Sequence, residues 1–132
     1  MVVLERAVKF EEVDAAGIVF FARFVTYAHE AMEHFFSQLD GGYVRLIIER
    51  RLGLPAVKLE TDFIEPLRYG DVVRIETSVE RLGRRSAVFL YELKRKGDDV
   101  LTARIRHTVV FSELDAMKSC DMPPDVRAAF EA

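Results

Sequence analysis

The period of the apolar residues changes along the chain, and each change predicts an element. At the start Val2, Leu4, Val8 and Phe10 share one phase, with Arg6 a charged exception, while Glu5, Lys9 and Glu11 take the other. Such alternation predicts a strand with one buried face. It runs out at Val13-Asp14-Ala15-Ala16-Gly17, where Asp and Gly favour a loop. The period then becomes helical. Phe24, Tyr27, Ala28, Ala31, Met32, Phe35, Phe36 and Leu39 recur at alternating steps of three and one, a continuous apolar stripe. Thr26, His29, Glu30, Glu33, His34 and Gln38 fill the other side. Asp40-Gly41-Gly42 ends this helix, because glycine tolerates the positive φ of a helix terminus. A weaker helix is expected from about Tyr43 to Arg51, closed by Gly53-Leu54-Pro55.

The remainder to Phe111 reads as strands. Val57 to Ile64 is the first, broken by Pro66, and Leu67-Arg68-Tyr69-Gly70-Asp71 is a turn. Val73, Ile75, Thr77 and Val79 then alternate with Arg74, Glu76, Ser78 and Glu80. Leu82-Gly83-Arg84-Arg85 makes a hairpin connection to Ala87–Arg95, which is apolar on both faces as a central strand would be. After a turn at Lys96-Gly97-Asp98-Asp99, a last long strand points Leu101, Ala103, Ile105, Val109 and Phe111 inward. A short helix from Pro124 to Phe130 follows, since proline suits a first helical turn. One long helix segregated from a run of hairpin-linked strands means an α+β fold, with the helix wrapped by a curved antiparallel sheet.

Composition narrows the class. A length of 132 residues predicts one domain over 1–132. Hydrophobic content of 50% with 31% charged residues excludes a disordered chain. Nineteen basic against 22 acidic residues give a net charge of −3, which offers no basic excess to nucleic acid or an anionic membrane. No apolar run, Gly17 to Ala22 with the two alanines before it included, is long enough to cross a bilayer. The opening MVVLERAVKFEEVD carries charges where a signal peptide needs an apolar stretch. Cys120 is the only cysteine, so a reducing, cytoplasmic location is expected. A chain this small buries a modest share of its surface, and association with a second copy is expected.

The segment Val13-Asp14-Ala15-Ala16-Gly17-Ile18-Val19-Phe20-Phe21-Ala22-Arg23-Phe24 resembles the signature of the 4-hydroxybenzoyl-CoA thioesterase family. The likeness continues through Phe63-Ile64-Glu65-Pro66-Leu67-Arg68-Tyr69-Gly70-Asp71 and Leu82-Gly83-Arg84-Arg85-Ser86, and covers most of residues 6–112. The resemblance implies the hotdog fold and hydrolysis of an aryl or short to medium acyl-CoA, with no metal or redox cofactor. Coenzyme A is then part of the substrate. It implies Asp14 as nucleophile or general base, the backbone N–H of Phe21 as oxyanion donor, and Gly17 as the point of close acyl approach. It implies substrate contacts from Val19, Phe20, Phe24 and His29, and contacts to the CoA nucleotide from Arg84, Arg85 and Ser86. It also implies a homodimer or homotetramer whose sites lie between subunits. The chemistry is reasonable in itself. Thioester hydrolysis needs a carboxylate to attack or to activate water, and a helix N-terminus offers free N–H groups to a developing oxyanion.

Departures and competing readings shape the expectation. Phe21 stands where many relatives have Tyr or His, which leaves only a backbone donor there. His29 stands where relatives that bind a hydroxylated aryl group have a carboxylate. Asp14 is also a residue type that turns and helix caps favour. His29, Glu30, Glu33 and His34 include spacings of four that could hold zinc, but neither zincin pattern is complete and solvated pairing explains them. His107 falls in the apolar phase of the last strand, as a hydrogen-bonded core or interface histidine would. Two alternative functions share the fold: an acyl-CoA hydratase or dehydratase, and a non-catalytic acyl-CoA or acyl-carrier binding protein. The first needs a histidine between Asp14 and Phe24, where the sequence has none. The second needs no competent carboxylate, which Asp14 argues against.

Overall fold

The computed structural model describes residues 1–132. Strand β1 (Val2–Ala7) leads through a single 3-10 turn at Phe10–Glu12 and the Asp14 loop into helix α1 (Phe21–Phe35). A 3-10 turn at Phe36–Gln38, a short helix α2 (Gly42–Val44) and a π-turn at Arg45–Glu49 return the chain to the sheet. There follow β2 (Leu52–Gly53), β3 (Ala56–Phe63), β4 (Val72–Leu82), β5 (Ser86–Arg95), β6 (Val100–Val110), β7 (Ser112–Glu113), β8 (Lys118–Ser119) and α3 (Pro124–Glu131). The main sheet is antiparallel in the order β1-β4-β5-β6-β3, and β2-β7-β8 form a small second sheet.

The stripe read from the sequence is the buried face of α1. Phe24, Tyr27, Ala28, Ala31, Met32 and Phe35 are all buried. They meet the inward residues of the sheet, among them Val73 and Ile75 of β4, Phe89, Tyr91 and Leu93 of β5, and Ile105 of β6. Each such side chain removed from water contributes about 1.5–3 kcal/mol. Phe35, Phe89 and Phe130 close the far end of the core, with ring centroids 5.1–5.3 Å apart. Strand β5 is central, as expected, but its outer face (Val88, Leu90, Glu92) is only half-buried rather than covered.

Several boundaries differ from the sequence reading. The first strand stops at Ala7, and Phe10 is 74% exposed rather than inward. The chain must turn there because Glu12, not Phe10, is drawn under the helix. Helix α1 begins at Phe21, before the apolar stripe does. The expected helix from Tyr43 is only α2 and the π-turn. In β6 the register slips opposite Leu93 and Lys94, so Thr102 is buried where Leu101 was expected, and its hydroxyl donates to the Leu93 carbonyl at 2.7 Å.

The inward charge at Arg6 has a partner. Its guanidinium grips Glu12 through both carboxylate oxygens at 2.6 and 2.9 Å, and its Nε reaches Glu30 on α1 at 2.7 Å. It lies 4.3 Å over the Tyr27 ring. Glu12 is 3% exposed and also accepts from the Tyr27 hydroxyl at 3.0 Å and the Lys9 N–H at 2.8 Å. Burial alone would raise the Glu12 pKa. Arg6, Lys9 and Tyr27 override it and hold it at about 2. Burial and the Glu12 carboxylate push the Tyr27 phenol far above its ordinary value.

The ordinary value for Glu12 is 4.5, so the folded protein releases this proton more readily than the unfolded chain. The resulting stability is whole above pH 4.5 and is lost as the pH falls toward 2. Glu12→Gln should cost about 3 kcal/mol at neutral pH, because Arg6 loses a buried partner. Urea unfolding from pH 7 to pH 2 should show the gap between parent and variant closing across that window. A gap independent of pH would mean that the charge of Glu12 contributes nothing.

Candidate active site

The loop that Glu12 anchors carries Asp14. The Asp14 N–H donates to the Ile18 carbonyl at 2.9 Å, Gly17 N–H returns to the Asp14 carbonyl at 2.9 Å, and Val13 bridges to Val19. The result is a tight hairpin. Gly17 sits at its corner with φ +80°, a left-handed conformation that favours glycine. Asp14 has a share of the bland role, since its Oδ1 accepts the Ala16 N–H at 2.8 Å as in many turns. Its Oδ2 carries no such bond, and the side chain is exposed.

The return arm of the hairpin runs straight into α1. The Phe20 N–H donates to the Glu12 carbonyl at 3.0 Å, which ties the helix start to the ion cluster. Phe20 is the N-cap and supplies no side-chain bond, and no acidic residue occupies the first turn. The helix therefore presents the uncompensated positive end of its dipole and first-turn N–H groups, Phe21 among them. A cavity of about 270 Å³ opens beside it, lined by Val19, Phe21, Phe24, Phe63 and Ile64 among others. Phe21 and Phe24 both meet the Phe63 ring edge to face, with centroids at 6.4 and 5.4 Å. Phe20 is 48% exposed and packs on Phe21 rather than reaching this cavity.

The structure brings Val19, Phe21 and Phe24 together around this cavity, while Asp14 and Gly17 lie on the hairpin that leads into the helix and do not line it. It does not bring Arg84, Arg85 and Ser86 to them within one protomer. Those three lie past the far end of β4, an 11-residue strand that spans roughly 35 Å from the Asp14 end. Arg84 and Arg85 pair there with Asp121 at 3.3 and 2.7 Å. The Arg85 guanidinium holds the Asp121 carboxyl below its usual range. His29 lies two turns along α1 from Phe21 and lines a separate cavity of about 210 Å³ with Tyr91 and His107.

Other candidates resolve into structural roles. No three His, Cys, Asp or Glu side chains converge on a common point, and Glu30 is engaged by Arg6. Burial raises the Cys120 thiol pKa, with Glu113 adding to it, so the thiolate is disfavoured. The sequence pattern singles out Tyr27 only as an apolar stripe residue and Phe63 only within the family-like segment, and it gives no role to Arg6, Glu12 or Tyr91. The one visible signal was Arg6, a charge in an apolar phase.

Comparisons with known proteins bear on the family and the fold. The family model of the thioesterase-like superfamily matches residues 8–130. A 1,4-dihydroxy-2-naphthoyl-CoA hydrolase of Prochlorococcus marinus is 30% identical over 114 residues, which is 81% of this chain and 76% of the relative. The structure of a gentisyl-coenzyme A thioesterase superposes with a TM-score of 0.84 at 31% identity, covering 97% of this chain and 98% of that one. A 4-hydroxybenzoyl CoA thioesterase, a mutant complexed with 4-hydroxybenzoyl CoA, shares the fold with a TM-score of 0.86 at 24% identity, over 97% of this chain and 96% of that one. The sheet-wrapped helix is thus the hotdog fold, and the chain belongs to the thioesterase-like superfamily.

Proposed function

We propose that this protein hydrolyses aryl acyl-CoA thioesters to the free acid and coenzyme A, with Asp14 as the reacting carboxylate. The observation that carries the reading is the pairing of an exposed carboxylate with an uncapped helix N-terminus. The first lies on the hairpin whose return arm runs into the second, and an apolar cavity opens at the helix start. The relatives' substrates, a dihydroxynaphthoyl-CoA and a gentisyl-CoA, support an aryl acyl group. The thioester oxygen would sit against the Phe21 N–H, where negative charge develops in the transition state. Asp14 has two routes. As nucleophile its Oδ2 bonds to the thioester carbon, the C–S bond breaks, and water then cleaves the mixed anhydride. As general base it takes a proton from the water that attacks that carbon. Both end in a carboxylate, a proton and the CoA thiol.

We further propose that the working unit is at least a dimer built across β3. This edge strand is exposed along its length except at Thr61, and nothing pairs with its outer side. Val57 is 62% exposed, Leu59 46%, Phe63 53% and Ile64 47%. An unpaired apolar edge of this kind is a template for another strand. A two-fold axis across it would set the Ala56 end of one β3 beside the Phe63 end of the other. The Arg84–Ser86 hairpin aligns with the Ala56 end, through Ser86 beside Val110 and Ala56 beside Val109. The Asp14 loop belongs to the Phe63 end. Two copies would therefore bring phosphate-binding arginines toward a partner's Asp14, at the cost of exposed pairs with Asp121 that contribute little.

Thiol release from a panel of aryl, short and medium acyl-CoAs tests the first proposal. Parent protein should favour aryl substrates, and Asp14→Asn should lower kcat at least 100-fold. Equal rates would mean that a different carboxylate reacts. No thiol from any substrate would leave a binding protein, and loss of enoyl absorbance without thiol would indicate a hydratase. For the second proposal, Val57→Asp should convert a dimer into a monomer in sedimentation velocity and abolish turnover with the fold intact by circular dichroism. A parent that sediments as a monomer at working concentration would defeat it.

A further inference from the structure

The cavity beneath the middle of α1 is walled by Val25, Ala28, Ala56 and Leu59, and His29, Tyr91 and His107 complete its lining. It continues the line of the first cavity. Both lie between α1 and β3, and Val25 follows Phe21 by one helical turn. The step from Phe21 to His29 is about 12 Å along the helix axis. That is the direction in which an acyl group held by its thioester at the helix start would extend.

These last three residues include one definite donor. Tyr91 is 1% exposed and its hydroxyl lies 3.1 Å from His107 Nδ1. No other acceptor lies within reach of that hydroxyl, and a buried O–H is seldom left unpaired. The Tyr91 O–H therefore donates to Nδ1, which places the imidazole hydrogen on Nε2. The ring is held in place by stacking on Phe89, with centroids 5.9 Å apart and an interplanar angle of 27°. Burial, with the nearby His29, lowers the His107 pKa, and burial pushes the Tyr91 phenol far up, so both stay neutral near pH 7. His107 Nε2–H has no partner within the protein.

We infer that the His107 Nε2–H, fixed by Tyr91, reads an oxygen substituent on the ring of the acyl group. The inference rests on the thioesterase reading and names its specificity. Apolar walls alone discriminate weakly, because a pocket with nothing polar to satisfy cannot strongly prefer an oxygenated ring. A wired donor left without an acceptor when the ring lacks oxygen supplies the missing discrimination.

The test compares kcat/KM for hydroxybenzoyl-CoA isomers with that for benzoyl-CoA. Parent protein should favour at least one hydroxylated isomer by about tenfold or more. His107→Phe should bring that ratio close to one, His107→Gln should restore part of it by supplying an N–H, and Tyr91→Phe should lower it by releasing the tautomer. An unchanged ratio in His107→Phe overturns the inference. Side-chain nitrogen NMR of the unmodified protein gives an independent readout. It should show His107 as the Nε2–H tautomer, with a shift on adding hydroxybenzoate that benzoate does not produce. A Nδ1–H tautomer, or identical responses to the two acids, also overturns it. If the parent releases no thiol from any substrate, the thioesterase reading fails, while the NMR titration still decides this one.

Discussion

The bidentate grip of Arg6 on Glu12 joins three parts of the chain through directional contacts, which the hydrophobic core they share does not supply. Arg6 comes from the edge strand β1, Glu12 from the turn after it, and Tyr27 and Glu30 from α1. A charge pair this deep is expensive to desolvate and is not a cheap source of stability. It provides a fixed geometry instead. All four Glu12 contacts are charge-assisted, and its backbone carbonyl holds the Phe20 N–H. The hairpin between Glu12 and Phe20 is therefore clamped at both ends against the helix it precedes. Asp14 gains a fixed position without being buried, which leaves its carboxylate open to water.

Two unmet demands remain once the protomer has folded. Helix α1 starts without a side-chain cap, on a run of Phe-Phe-Ala-Arg where Ser, Thr, Asp or Asn would satisfy its first N–H groups. Strand β3 offers an unpaired edge with large apolar side chains exposed. Each would be a liability in an isolated chain. They share one region, because Phe63 of β3 packs on both Phe21 and Phe24 of α1. A bound thioester would satisfy the first and a second copy the second.

The sequence made the fold legible wherever one period held for long. The helical stripe from Phe24 and the alternation from Val73 gave the right elements because their cores depend on regular burial. Boundaries slipped where a tertiary contact overrode the local period. Phe10 is exposed because Glu12 is pulled inward, and Thr102 replaces Leu101 because β6 slips against β5. The Asp14 loop was legible as a motif, since a turn that needs glycine at one corner leaves a recognisable spacing. Arg84 and Arg85 could be placed on a hairpin, yet no pattern along one chain shows that this hairpin lies a full strand's length from Asp14. Glu12 and Tyr91 were invisible for another reason. Their roles come from partners far away in sequence, and a buried carboxylate or phenol looks like any other until those partners are known.

The proposed site divides its work by dielectric environment. The reaction proposed at the helix start needs a carboxylate open to water, and the exposed hairpin offers one. The recognition proposed deeper along α1 needs donors that stay neutral and keep one orientation, which burial between the helix and the sheet favours. Exchanging the two environments would defeat both tasks. Burial penalises the charged form of any carboxylate, and an exposed imidazole titrates near neutral pH and rotates freely. The curved sheet makes the division possible, because it covers the middle of α1 and leaves its N-terminus open.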